Sequence, residues 1–96
     1  MKHRLTERAA ADLADAVEYY ESREAGVGIR FALEVGLTLA NVLQAPERWA
    51  EIEPGIRKRN MDQFPYALIY RKVNRGVVEL VAIFHLRREP GSWRKT

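Results

Sequence analysis

The chain has 96 residues, 47% of them hydrophobic and 30% charged, with a formal charge of +3 and no cysteine. That length accommodates one domain with one core, here residues 1–96, and the apolar share excludes a disordered chain. Without cysteine there is no disulfide framework or thiolate chemistry, and two histidines, His3 and His85, do not make a zinc site, so no metal or cofactor is expected.

Residues 3–5 (HRL) predict a short edge or flanking strand. Thr6 is placed to cap the helix that follows, with Glu7 favourable at the positive end of the helix dipole, and no Gly or Pro interrupts until Gly26. Ala10, Leu13, Val17 and Tyr20 recur at intervals of three and four, which predicts an apolar stripe, with Asp12, Asp15, Glu18 and Glu21 largely off it. AGVG at 25–28 ends this helix. A second helix carries Ala32, Val35, Leu39 and Val42, joined by Phe31 and Leu43, and stops near Pro46. The two predict an antiparallel helical hairpin, in which Gly36 is read as a point of close helix packing.

Beyond Pro46 the period changes. IRKRNM (56–61), YALIYRKV (66–73) and VVELVAIF (77–84) are rich in β-branched and aromatic residues and bounded by Pro65 and by Asn74-Arg75-Gly76, which predicts three strands. The last two form a hairpin, and the near-continuous apolar run of the third predicts a central strand buried on both sides. Trp49, in an irregular acidic stretch, is read as a lid over the core. The fold class is therefore α+β, a short N-terminal strand and a helical hairpin packed on a mostly antiparallel sheet of about four strands.

Acidic residues concentrate in the first half and RKRN, YRK and LRRE in the second, so one surface is expected to be basic. Alternation puts Arg57 and Arg59 on one strand face, either as a fork bracketing a phosphate or carboxylate or as a solvated face. Arg71 joins that basic face or sits at an exposed strand end. His85 ends the buried strand ahead of Arg87 and Arg88. An ordinary histidine titrates near pH 6.5, so His85 is either a general acid or base beside guanidiniums that stabilise a phosphorane-like transition state, or a hydrogen-bonded strand end. The N-terminal MKHRLTER lacks the apolar core of an export signal, and no stretch approaches the roughly 18 apolar residues of a membrane span, so a cytoplasmic location is expected.

Several short motifs run in order through the chain. They are Ala9-x-x-Asp12-Leu13, Tyr19-Tyr20, Ala32-x-x-Val35, Pro46, Gly55-Ile56-Arg57, Phe64-Pro65-Tyr66, Ile69-Tyr70-Arg71 and Ile83-x-His85-x-Arg87-Arg88-x-Pro90-x-x-Trp93. Together they resemble the RelE/ParE superfamily of bacterial type II toxins, and its ParE-like (plasmid stabilisation) branch most closely. The resemblance implies a sheet packed on a helical hairpin, growth inhibition, and a cognate antitoxin that wraps and silences the toxin in a hetero-oligomer. It also implies one of two targets: DNA gyrase for ParE-like members, or ribosome-bound messenger RNA for the endoribonucleases. In the ribonuclease pattern Arg57 and Arg59 match the first basic pair and Arg87 an arginine after the last strand. Ala67 stands where a further arginine is carried, and Trp93 roughly where a functional tyrosine stands. These departures favour gyrase poisoning, with Arg57, Arg59, Arg71, Arg88 and Trp93 as a recognition surface. Cleavage by His85 and Arg87 is the alternative, and a degenerate module that only binds antitoxin is a third.

Overall fold

The computed structural model describes residues 2–88 and 91–94. In chain order the elements are β1 (Lys2–Leu5), α1 (Glu7–Arg23), α2 (Val27–Gln44), β2 (Glu51–Glu53), β3 (Ile56–Asn60), β4 (Tyr66–Asn74) and β5 (Val77–His85), then a single 3-10 turn over Ser92–Arg94. The strands form one sheet in the order β1-β5-β4-β3-β2, with β1 parallel to β5 and the other pairs antiparallel. This is the expected α+β arrangement with one additional strand, β2. Its Glu-Ile-Glu is too short for periodicity to separate it from a loop. It pairs with β3 because Gly55, at φ 79°, reverses the chain and donates its N–H to the Glu51 carboxylate.

Thr6 caps α1, its hydroxyl accepting the Ala9 N–H at 3.0 Å. The inward face of α1 is Ala9, Leu13, Ala16, Val17 and Tyr20, whereas Ala10, expected on the stripe, is exposed. Likewise α2 buries Phe31, Val35, Thr38, Leu39 and Val42 and exposes Ala32. Both corrections are small rotations about the helix axis, which a stripe of small residues does not define from sequence. Between the helices, the Glu21 carboxylate accepts the N–H groups of Gly26 and Gly28 at 2.8 and 2.9 Å and satisfies donors that the α2 N-terminus would leave open. These bonds hold the Glu21 carboxyl below the usual carboxylate range. A close helix approach does exist at Gly28, where a Cβ would stand 2.5 Å from the Val17 carbonyl oxygen. Gly36 has no such neighbour and faces outward, so its expected role in packing within the hairpin is corrected.

The hairpin covers one face of the sheet. Tyr20, Phe31, Phe64 and Tyr66 meet there with ring centroids 4.9 to 5.4 Å apart for the Phe31 contacts. Leu68, Tyr70, Val78 and Leu80 complete this core, and Trp49 packs at its margin as a lid. Each large side chain withdrawn from water contributes roughly 1.5–3 kcal/mol. On the opposite face Ile69, Ala82 and Phe84 are covered by Trp93. Central β5 is thus buried from both sides, as its composition predicts. By length and composition α2 does reach the level of a membrane span, with a mean hydropathy of 1.2, contrary to the expectation for this chain. The structure packs a third of it into the core just described.

Candidate functional site

The position of His85 follows from a bulge. Along β5 the register to β4 runs Ile83 against Leu68 and Ala82 against Ile69, then Leu80 against Tyr70, which leaves Val81 as an extra residue. Before the bulge Val78 and Leu80 face the helices. After it the parity switches, so Ile83 and His85 face them and Phe84 faces away. Strict alternation would have put His85 on the other side of the sheet.

The bulge is held by α1. Pairing with β1 ends where Leu5 meets Leu80, and there the Thr6 N–H still reaches the Leu80 carbonyl at 3.0 Å. The Thr6 hydroxyl then donates to the Val81 carbonyl at 2.8 Å, and the Asp12 carboxylate accepts the Ile83 N–H at 2.9 Å. The cap of the first helix and a side chain one turn into it thereby continue a ladder that the edge strand has left, and buried backbone groups find their partners. Asp12 is also clamped by Arg8 Nε at 2.9 Å. The sequence spacing predicts Asp12 on the outer acidic side. It turns inward because Ala9-x-x-Asp12-Leu13 sets it one turn after a fully buried alanine, the one sequence signal of this contact.

Beside this seam a groove of about 650 Å³ runs between α1 and the ends of β4 and β5, lined by Asp12, Asp15, Tyr66, His85, Arg87 and Arg88 among others. The His85 ring meets Tyr66 edge to face, centroids 4.9 Å apart. His85 Nδ1 accepts the Arg87 backbone N–H at 3.0 Å, and its carbonyl accepts the Arg88 N–H at 3.0 Å. In the neutral ring the proton therefore sits on Nε2. Burial, then the charges of Arg87 and Arg88, push the His85 pKa below its ordinary 6.5. Near neutral pH the imidazolium, the form that donates as an acid, is the minor one. The basic lone pair is already engaged by Arg87.

The remaining expected site residues do not join His85. Arg57 donates through Nη1 to the Trp49 carbonyl at 2.7 Å. Arg59 bonds Asn41 and Asp62, lies with its guanidinium 5.2 Å from the Trp49 ring, and is only 16% exposed. Both face the helices from β3, two strands away from the strand that carries His85. At the opposite end of the sheet, Arg71 pairs with Glu79 at 2.7 Å, and Arg4 pairs with the same carboxylate at 2.9 Å. Burial opposes the Glu79 charge, but hydrogen bonds from Arg71 and Arg4 prevail and hold its carboxyl below the usual range. Ala67, the site of the absent arginine, is fully buried on the face away from the groove, alongside Ile69 and opposite Phe84. Trp93 is buried over that second face, with its carbonyl accepting Arg8 Nη1 at 3.3 Å. Of the expected site residues, Arg87 and Arg88 alone share the groove with His85. Pro90, part of the terminal motif, lies outside the described residues. Among the described residues no three His, Asp or Glu side chains cluster as metal ligands.

Residues 4–90 match the family model described as ParE toxin of type II toxin-antitoxin system, parDE. The chain belongs to the ParE toxin family. A toxin of this kind has an antitoxin as its partner. Among solved structures, the fold is similar to a chain of the chromosomal ParDE toxin-antitoxin system from P. aeruginosa, with TM-score 0.78 and 18% identity over 91% of this chain and 97% of that one. It is also similar to the isolated E. coli RelE toxin, with TM-score 0.59 and 20% identity over 93% of this chain and 87% of that one. No curated protein sequence matches it significantly. The terminal motif of ParE-family resemblance thus has a physical content: Ile83 anchors the bulge to α1, and His85 and the two arginines form one lip of the groove.

Proposed function

We propose that this ParE-family toxin inhibits growth by binding DNA gyrase, and that it performs no cleavage of its own. One observation carries the reading. The groove brings His85 together with Arg87 and Arg88 but not with Arg57, Arg59 or Arg71, which are engaged by Trp49, Asn41, Asp62 and Glu79. A ribonuclease needs several cations converging on one phosphate and an acid or base in the right form. Here Asp12 and Asp15 line the same groove and would repel a phosphate, and the His85 lone pair is occupied. A mixed-charge, partly aromatic groove suits a polypeptide better than a nucleic-acid backbone.

The cognate antitoxin acts on the same side. Its C-terminal segment lies as helix and strand along the groove, with acidic side chains meeting Arg87 and Arg88. Acidic contacts to Arg57, Arg59 and Arg71 are secondary, because those guanidiniums already have partners. Both encounters belong to the cytoplasm. The test is a supercoiling assay with purified gyrase. Inhibition by the toxin that is relieved by the product of the neighbouring gene supports the reading. Unimpeded supercoiling at concentrations that stop growth overturns it. Normal growth during well-folded overexpression would instead identify a degenerate antitoxin-binding module.

A further inference from the structure

Among the described residues the outer face of α2 has no partner. Ile29, Leu33 and Leu37 are 64%, 64% and 69% exposed, the most exposed of the large apolar side chains among the described residues. They stand four residues apart and form a single ridge along the helix. Beside that ridge run Ala32, Gly36 and Ala40, also four apart and exposed, which form a shallow groove parallel to it. No charged residue interrupts either row. Gly36 in the middle of a helix is destabilising by roughly 0.5–1 kcal/mol relative to alanine, and among the described residues no other segment comes within 4 Å of where its Cβ would be.

We infer that this face is a homodimer interface, formed by α2 of two copies packed antiparallel about a twofold axis. The occupant is a second copy because the surface complements itself. One antiparallel register sets Ile29 of each copy against Ala40 of the other, Leu33 against Gly36 and Leu37 against Ala32. Every large residue then meets a small one, at both ends and at the centre. The two rows have the same inclination, which is the condition for ridges of each helix to enter grooves of the other, at a crossing near −50°. An isologous contact of this kind closes on itself and does not propagate into fibres. A contact made by one helix pair is small for a specific interface, so the dimer is weak and depends on concentration. The groove bearing His85 lies on the sheet side of α1 and stays open in each copy. The dimer therefore does not depend on the proposed gyrase binding, and either can fail alone.

The chain has no cysteine, so an introduced one reports a single site. Sedimentation of the purified toxin over a hundredfold range of concentration should show a monomer–dimer equilibrium, abolished in Leu33→Lys with an unchanged circular-dichroism spectrum. Mixing Ile29→Cys with Ala40→Cys under mild oxidation should give a cross-linked dimer several-fold faster than either variant alone. A monomer at all concentrations, whether or not it binds lipid vesicles, overturns the inference. So does a dimer that persists in Leu33→Lys, or one in which Ile29→Cys cross-links best to itself.

Discussion

Asp12 accepts a strand N–H and a guanidinium at once, and its replacement separates the two contributions. Asp12→Ala leaves the Ile83 N–H without an acceptor and should destabilise the fold by about 1–3 kcal/mol. Asp12→Asn retains a carbonyl oxygen and should lose less, so urea midpoints should fall in the order wild type, Asn, Ala. His85 and Glu79 make predictions about pH. The folded value of His85 is depressed, so its contribution to stability is complete above about pH 6.5 and is lost as pH falls through the lower folded value. Its ring resonances should titrate with a midpoint below 6.5, and a midpoint above it would contradict the described contacts. Glu79 has a depressed value too, relative to 4.5, so the Arg4–Glu79–Arg71 cluster stabilises above that pH and ceases to do so as pH falls through the folded value. Because both arginines are about half exposed, Glu79→Gln should lose only about 1 kcal/mol at pH 7 and nothing in acid, read from unfolding at the two pH values.

Two glycines of α2 distinguish close packing from open surface. Gly28→Ala forces a methyl against the Val17 carbonyl and should destabilise by about 1–3 kcal/mol. Gly36→Ala meets no other segment among the described residues and should stabilise by about 0.5–1 kcal/mol. Thermal unfolding of both variants at low protein concentration checks the pair, and a destabilised Gly36→Ala would contradict the outward orientation of that face. These elements also show what sequence carries. The Thr6 cap, the glycine-marked break between α1 and α2, the Asn74-Arg75-Gly76 hairpin and the doubly buried β5 are all legible, because each depends on local chemistry or on an uninterrupted apolar run. The rotation of α1 was not, since Ala9 and Ala10 are alike in kind and only the sheet distinguishes them. The bulge at Val81 was not legible either. It adds one residue to a strand that is apolar on both faces, so no break in alternation marks it.

For the whole molecule, the ordered motifs were sufficient to indicate the ParE-family fold, whereas the site depended on how distant segments meet. Five guanidiniums looked interchangeable along the chain. The fold divides them, holding Arg57 and Arg59 beside Trp49, tying Arg71 to Glu79, and leaving Arg87 and Arg88 beside His85. Trp93, expected in a recognition surface, became the cover of the second sheet face because Ile69, Ala82 and Phe84 need one. The central claim is that the His85 groove recognises a protein and does not cut RNA. It is tested most directly by mapping messenger 5′ ends on purified translating ribosomes incubated with the toxin. The account predicts intact messenger, whereas codon-associated cuts that disappear in a folded His85→Ala variant would contradict it.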